Sequence, residues 1–197
     1  MAFTCVLATN NEHKLYEVRS ILGPDVKIIS LSEIKCTVKP DETGKSFEEN
    51  ALIKAEEISR YTDYPVLADD SGLCVSALGD RPGVHSARYA GPEATDFDNT
   101  NKLLVELEGI ENRSAYFVAC ICLFQKNLPP VFFEGRCHGT IIKTPKGRQG
   151  FGYDPVFVPD NMNESFAELG EDVKNLISHR AMALKKMKNY LFNNFVE

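Results

Sequence analysis

Two long apolar runs near the middle of the chain limit the folds that it can adopt. Residues 114–124 read SAYFVACICLF and residues 131–142 read VFFEGRCHGTII, and both are rich in the β-branched and aromatic residues that favour strands. The short KNLPP segment between them predicts a hairpin. Segments with helical spacing alternate with shorter β-like runs in the rest of the chain. We therefore expect an α/β fold with a mixed β-sheet flanked by helices.

The spacing of apolar residues also places the remaining elements. It predicts strands at residues 3–8, 26–31 and 65–68, and helices at residues 15–22, 47–61, 95–107 and 178–195. Residues 78–91, LGDRPGVHSARYAG, are rich in glycine and proline and predict a surface loop. A chain of 197 residues can bury one sizeable core and is short for two full domains. We expect a single domain over residues 1–197.

Charge and composition argue against several classes of partner. Acidic residues outnumber basic ones by 28 to 22, and the resulting net charge of −6 argues against binding to nucleic acid. No apolar run approaches the roughly 20 residues that span a bilayer, and the N-terminus lacks the pattern of a signal peptide. We therefore expect a cytoplasmic protein with no membrane partner. The six cysteines form no CxxC pair, which predicts reduced core thiols rather than disulfides or a zinc site.

One polar stretch interrupts an apolar region. Residues 65–75 read PVLADDSGLCV, so Asp69 and Asp70 lie between two segments that we expect to be buried. Buried carboxylates are costly unless they are paired, hydrogen-bonded or bound to metal, and two of them ~4 Å apart repel by roughly 1–4 kcal/mol. Asp-Asp-Ser-Gly suits a tight turn, and carboxylates at a strand end also suit Mg²⁺. The residues alone leave both interpretations open.

Two earlier segments have the chemistry of an anion site. Residues 9–14, TNNEHK, open a helix with Lys14 in its first turn, and the free N–H groups of such a helix start attract anions. Residues 46–55, SFEENALIKA, begin with the pattern of a capping box. Glu42 before them is a candidate metal ligand, and Lys54 is a candidate phosphate partner. Taken alone, each segment is better explained as a capped helix with solvated charges.

Two later segments could recognise an aromatic or anionic ligand. Residues 150–155, GFGYDP, contain glycines that let the backbone approach a ligand closely. Phe151 and Tyr153 could stack on a base, or they could only anchor the loop. His179 and Arg180 fall in the first turn of a predicted helix, where cations oppose the helix dipole. They indicate either a nearby anion or pairing with local acidic residues.

The order of these segments resembles that of a known family. TNNEHK, SFEENALIKA, ADDSGL, PGVHSARYAG, GFGYDP and SHR look like the ordered motifs of the inosine triphosphate pyrophosphatase family, and the resemblance runs from residue 4 to residue 187. It implies hydrolysis of the non-canonical purine nucleotides dITP, ITP and XTP to a monophosphate and pyrophosphate, which removes deaminated purines from the nucleotide pool. It also implies an elongated mixed sheet in two lobes with the active-site cleft between them, a Mg²⁺ cofactor and a homodimer.

The resemblance implies roles for individual residues. Asp70 matches the general base and a metal ligand, and Glu42 and Asp69 are the other acidic positions at the metal. The residues that match substrate-binding positions are Thr9, Asn10, Asn11, Glu12, His13, Lys14, Lys54, Ser71, Phe151, Gly152, Tyr153, Asp154, Lys174, His179 and Arg180. The chain departs from the common pattern at Asn10, where many relatives have glycine, and at Arg148 and Gln149, where many have small residues.

Two other functions stay open as alternatives. A catalytically silent nucleotide sensor would be favoured by loss of Asp70, Lys14 or Glu42, and all three are present. A pyrophosphatase for modified pyrimidine nucleotides, similar to the Maf-like proteins, is disfavoured by the SHR and GFGYD motifs.

Donors such as Lys174 and Arg180 predict recognition of a purine 6-oxygen, because an adenine amino group would leave a buried donor unpaired at a cost of about 1–3 kcal/mol.

Overall fold

A computed structural model describes residues 3–195, apart from the side chain of Phe195. Its strands are β1 (Phe3–Leu7), β2 (Val26–Ile29), β3 (Val66–Val75), β4 (Arg81–Pro82), β5 (Ser114–Phe124), β6 (Val131–Ile141) and β7 (Phe157–Pro159). Its α-helices are α1 (Glu12–Leu22), α2 (Phe47–Ser59), α3 (Asp96–Glu106), α4 (Phe166–Ile177) and α5 (His179–Phe195).

The strands form one mixed sheet in the order β2-β1-β3-β5-β6-β7, and β4 pairs with β3 outside this path. β1 is parallel to both β2 and β3, whereas β4 is antiparallel to β3 and β7 is antiparallel to β6. The two long runs of the predicted hairpin are neighbouring strands, β5 and β6. The mixed sheet flanked by helices that the sequence predicts is therefore confirmed.

The described residues divide into two compact units. The first unit contains residues up to Asp70, residues 119–135 and residues from Arg180 onward, and the second contains residues 71–118 and 136–179. Several strands contribute residues to both units, because the divisions fall within β3, β5 and β6.

In the first unit, helices cover both faces of β1. Cys5 and Leu7 belong to a core that also contains apolar residues of α1 and α5, whereas Val6 and Ala8 belong to a core with apolar residues of α2. This division follows from the period of two along a strand. The apolar residues whose spacing predicts α5 are buried, and they are Ala181, Leu184, Met187 and Leu191. Full burial of each such leucine contributes about 1.5–3 kcal/mol.

In the second unit, aromatic residues form the centre of the core. The Phe117 and Phe157 rings meet edge to face with centroids 4.7 Å apart, and Phe157 stacks with Phe166 at 5.3 Å. Leu103 of α3 belongs to the same core. Aromatic pairs of this kind contribute about 0.5–1.5 kcal/mol beyond the area they bury.

The structure corrects the prediction for the Asp-Asp-Ser-Gly stretch. The strand that was expected to end at Ala68 continues without a break to Val75, so the stretch is neither a turn nor a strand end. Successive side chains of a strand point to opposite faces, which separates Asp69 from Asp70. Each carboxylate then finds its own buried partners, and these contacts outweigh the local preference of the four residues for a turn.

Two other predictions need correction. The segment 78–91 is not simply a surface loop, because it contains β4 and a 3₁₀ turn (Gly83–Arg88) and buries Ser86 and Tyr89. Helix α4 was not predicted, although Ser165 and Glu168 form a capping box at its start. Gly170 has a non-helical backbone (φ 80°, ψ 173°) inside α4, and this break hides the helical period in the sequence.

All six cysteines are free and buried, as the sequence predicts. Burial raises the pKa of the Cys5, Cys120 and Cys122 thiols to about 12 and that of Cys137 to about 11. Within residues 3–195, no helix is both long enough and apolar enough to cross a bilayer.

Candidate functional site

Helix α2 presents two buried polar side chains on one face. Ser46 caps the helix by accepting a hydrogen bond from the Glu49 N–H at 3.1 Å. The Glu49 carboxylate accepts from the Lys45 N–H at 2.6 Å. Asn50 and Lys54 are four residues apart, so they lie one above the other on the same face. Both are buried, and both reach the carboxylate of Asp70.

Lys54 joins three acceptors through one ammonium group. Its Nζ donates to Asp70 Oδ1 at 2.7 Å, to Glu42 Oε1 at 2.9 Å and to the Asp69 carbonyl at 2.9 Å. An ammonium has three N–H donors, so this group is saturated. Burial alone would lower the pKa of Lys54, but the carboxylates of Asp70 and Glu42 raise it above its usual value.

Asp70 is held through both carboxylate oxygens. Oδ1 accepts from Lys54, and Oδ2 accepts from Asn50 Nδ2 at 3.3 Å. Burial raises the pKa of Asp70 above its usual value, although Lys54 and Lys14 act in the opposite direction. A carboxylate with a raised pKa is a stronger base than a solvated one, and this property suits a group that accepts a proton from water.

Asp69 contacts a different set of charges. Its Oδ2 accepts from Arg180 Nε at 2.9 Å and Nη2 at 2.7 Å, and Lys14 Nζ lies 3.3 Å away. Arg180 Nη1 also donates to Glu17 of α1. Burial would raise the pKa of Asp69, but Arg180, Lys14 and Lys54 together lower it below its usual range. These contacts hold α1, β3 and α5 together through largely buried ion pairs.

The predicted substrate loop at residues 9–14 is mostly exposed. Asn11 is the N-cap of α1 and accepts a hydrogen bond from the Lys14 N–H at 3.1 Å, and the Asn11 N–H donates to Thr9 Oγ1 at 3.1 Å. Asn10, Glu12 and His13 are exposed. Within this loop, Lys14 extends toward the aspartates, and burial lowers its pKa with partial compensation by Asp69.

The second unit contains the other predicted group, around residues 151–154. Lys174 Nζ donates to Asp154 Oδ2 at 2.5 Å, and both side chains are almost fully buried. Asp154 Oδ2 also accepts from the Phe151 N–H at 2.9 Å. A Cβ at Gly150 would lie 2.2 Å from the same oxygen, so the loop folds tightly over the Asp154 carboxylate. The Lys174 ammonium lies 4.4 Å from the centre of the Phe151 ring.

The two aromatic residues of this loop differ in exposure. Tyr153 is buried in the core, and its hydroxyl donates to the Ser86 carbonyl at 2.9 Å. It therefore anchors the loop, which was one of the two interpretations of the sequence. Phe151 is only half-buried, and the Lys174 ammonium lies over its ring. The His179 ring stacks on Phe117 with centroids 4.8 Å apart.

The structure thus brings the predicted residues together in two groups. In the first unit these are Lys14, Glu42, Lys54, Asp69, Asp70 and Arg180, and in the second unit they are Phe151, Gly152, Tyr153, Asp154 and Lys174. Ser71 directly follows Asp70 on β3 and is half-buried. The sequence interpretation missed Asn50 and Glu17, and helical spacing from Lys54 and Lys14 could have identified both.

The acidic residues fit a magnesium ion in their chemistry and number. Glu42 Oε1 and Asp70 Oδ1 converge on one cationic group, the Lys54 ammonium. Mg²⁺ is usually held by one or two carboxylates, with water and substrate phosphates completing its shell. Among residues 3–195 no three His, Cys, Asp or Glu side chains gather as a metal cage. Asp69 is the third predicted metal ligand. Within residues 3–195, no group donates a hydrogen bond to its buried Oδ1.

Comparisons with known proteins cover nearly the whole chain. The model of the Ham1 family matches residues 5–190. The dITP/XTP pyrophosphatase of Thermoanaerobacter pseudethanolicus is 45% identical over 195 residues, which are 98% of each chain. That of Bacillus licheniformis is 49% identical over 94% of this chain and 96% of its own. A solved HAM1 protein from Coxiella burnetii is 40% identical, with a TM-score of 0.88 over 98% of this chain and 100% of its own.

Proposed function

Because this chain belongs to the Ham1 family, as its six ordered motifs predicted, we propose that it hydrolyses dITP, ITP and XTP to a nucleoside monophosphate and pyrophosphate. The reaction cleaves the link between the α and β phosphates, so it consumes one water molecule per nucleotide. It would remove deaminated purines from the nucleotide pool.

The observation that carries this proposal is the arrangement of Lys14, Lys54 and Asp70. A triphosphate concentrates negative charge, and phosphoryl transfer depends mainly on positioning and charge neutralisation. We assign Lys14 and Lys54 to the phosphate oxygens. Both ammonium groups lie near the Asp69 carbonyl, at 3.5 Å and 2.9 Å respectively, so they are side by side next to Asp70. Asp70 then orients the attacking water and accepts its proton.

We propose Mg²⁺ as the cofactor, held by Glu42 and Asp70. When bound, such an ion polarises phosphate oxygens and neutralises part of their charge. The convergence of the two carboxylates on one ammonium group supports this assignment. Asp69 stays a predicted site residue, but its side chain points to the opposite face of β3 from Asp70 and its Oδ2 is neutralised by Arg180 and Lys14, so we assign it to supporting the site and not to binding the ion.

We assign binding of the purine base to the loop at residues 151–154. The half-buried Phe151 ring offers a stacking surface, and Asp154 holds the Lys174 ammonium beside that ring. Lys174 is a donor without an acceptor function, so it favours the 6-oxygen of hypoxanthine or xanthine over an amino group. Guanine carries the same 6-oxygen, so this contact discriminates against adenine and not against guanine.

A direct assay tests the proposed activity. The protein is incubated with Mg²⁺ and, separately, with ITP, dITP, XTP, ATP, GTP or dUTP, and monophosphate and pyrophosphate are measured. We expect both products from ITP, dITP and XTP, and none when EDTA removes the metal. Release of orthophosphate with a diphosphate would contradict the proposed bond cleavage, and dUTP as the preferred substrate would favour the Maf-like alternative.

The first prediction concerns Asp70. Asp70→Asn is expected to bind ITP with a Kd close to that of the wild type and to lose at least 100-fold in kcat, a loss in the range attributed to acid–base groups. Binding is measured by calorimetry and turnover by pyrophosphate release. Asp63→Asn makes the same change at an exposed ion pair with Lys126 and should keep normal turnover. A normal kcat for Asp70→Asn would exclude Asp70 as the base.

Two further properties belong to this proposal. The family resemblance supports a homodimer, which sedimentation velocity would detect as about twice the 22.0 kDa of one chain. It also supports a cytoplasmic location, which fractionation of cells would test. If the protein binds nucleotides but hydrolyses none of them, the alternative of a silent nucleotide sensor is favoured.

A further inference from the structure

A buried amide lies behind the proposed metal ligands. Asn50 has no exposed surface and is located one helical turn before Lys54 on α2. Its Oδ1 accepts a hydrogen bond from the Gly44 N–H at 2.8 Å, and its Nδ2 donates to Asp70 Oδ2 at 3.3 Å. One side chain thus joins the loop that contains Glu42 to the carboxylate of Asp70.

The partners fix the orientation of this amide. The Gly44 N–H can only donate, and an ionised Asp70 carboxylate can only accept. A flipped Asn50 would direct its oxygen at the carboxylate and its NH₂ group at the Gly44 N–H, so both contacts would become repulsive. An aspartate at this position would keep the acceptor and lose the donor, whereas a leucine would lose both.

The loop has no room to shift toward α2. A Cβ at Gly44 would lie 2.7 Å from Asn50 Oδ1 and 2.7 Å from Glu49 Cβ, which is closer than real Cβ contacts. The backbone at residue 44 therefore lies directly against the helix. Its distance from Asp70 is set by the length of the Asn50 side chain.

Asn50 and Lys54 make parallel links of different charge. Lys54 joins Glu42 to Asp70 with a cation, and Asn50 joins Gly44 to Asp70 with a neutral group. A bound triphosphate attracts the Lys54 ammonium, and a bound cation competes with it for the carboxylates. The Asn50 amide is neutral, so neither ligand displaces it by charge.

We propose that Asn50 is a positioning residue that fixes Asp70 Oδ2 and the Glu42 loop at a constant separation, whatever the Lys54 ammonium binds. This inference rests on the proposed function, because it assigns Asp70 and Glu42 to the reacting centre. Groups that orient ligands and bases in this way typically change affinity or activity by about 10–100-fold when they are replaced.

The test compares Asn50→Asp with Asn50→Leu. Both variants match the shape of asparagine approximately, but only Asn50→Asp keeps the acceptor for the Gly44 N–H. We expect Asn50→Asp to lose about 10–100-fold in kcat for ITP with its KM within about twofold of the wild type. Hydrogen exchange measured by NMR should show a protected Gly44 amide in the wild type and in Asn50→Asp, and fast exchange in Asn50→Leu.

A matched control is available in the second unit. Asn99 is also buried and bridges two groups, since its Oδ1 accepts from the Ala90 N–H at 2.8 Å and its Nδ2 donates to the Ala87 carbonyl at 3.2 Å. Asn99→Asp therefore makes the same chemical change at a bridge that contacts no carboxylate. It should lower the melting temperature while keeping kcat within about twofold of the wild type.

The outcomes separate this inference from the proposed function. A wild-type kcat in Asn50→Asp would overturn the inference. A rise in KM as large as the fall in kcat, or fast exchange of the Gly44 amide in that variant, would also overturn it, because either result indicates a purely structural role. If the wild type hydrolyses no nucleotide, the proposed function fails instead. The Gly44 exchange rates still decide in that case whether Asn50 makes its link, because they require neither substrate nor metal.

Discussion

At the scale of single residues, the two adjacent aspartates of β3 have opposite electrostatic properties. The pKa of Asp69 lies below its usual range because Arg180 and Lys14 outweigh the effect of burial. The pKa of Asp70 lies above its usual value because burial outweighs the effect of Lys54. The strand separates the carboxylates onto opposite faces, so two residues of one type acquire different roles.

This difference predicts how Asp69 affects stability. Asp69→Asn is expected to lower the free energy of unfolding by about 3 kcal/mol at pH 7, because it removes one partner of a buried ion pair. The folded-state pKa is lowered, so the contribution is complete above the unfolded value of about 4 and is lost as the pH falls through the folded value. Urea titrations of both proteins from pH 7 to pH 3 measure the difference.

The expected difference is constant down to about pH 4 and shrinks below it. A difference that already declines between pH 7 and pH 5 would contradict the lowered pKa. Asp63→Asn serves as the comparison, because its carboxylate is fully exposed and an ion pair in that position contributes little to stability.

At the scale of elements, local signals in the sequence predicted most helices and the central hairpin. Ser46 does cap α2, and the period of the apolar residues did identify α5. β3 could not be predicted in full, because Asp69 and Asp70 are stabilised by residues 16 to 111 positions away in the chain. Helical spacing from Lys54 places Asn50 on the same face of α2, but its contacts with Gly44 and Asp70 are formed only in the fold, so the sequence does not show what this side chain does.

The pairing of β6 with β7 yields a prediction about one glycine. Gly139 pairs with Pro159, and a Cβ on Gly139 would lie 2.3 Å from the Val158 carbonyl oxygen. Gly139→Ala should therefore lower stability by about 1–3 kcal/mol, as overpacking usually does. Thr140→Ala on the same strand removes exposed atoms and should change stability by less than about 0.5 kcal/mol. Equal denaturation midpoints for the two variants would contradict this account.

At the scale of the whole molecule, the order of the six motifs predicted family and fold more reliably than any single motif did. Each motif alone has an ordinary structural explanation, and several of them do serve as caps or loop anchors. Their functional interpretation depends on which of them the fold brings together. The Lys54 contacts provide this information for the first unit, and the Asp154–Lys174 pair provides it for the second.

The burial of every cysteine predicts the chemical behaviour of the native protein. Only the thiolate reacts with alkylating reagents, and a thiol with a pKa of about 12, such as Cys5, is ionised to only about one part in 10⁴ at pH 8. We expect almost no reaction with a thiol reagent at pH 8 in the native state and six equivalents in denaturant. Rapid reaction of the native protein would show that one of the three cores opens readily.

The low reactivity of the buried thiols also has a practical consequence for labelling. A cysteine introduced at an exposed position, for example at Lys126, would be the single reactive thiol of the folded chain. A fluorophore or spin label could then be attached at that position alone, with all six native cysteines left in place.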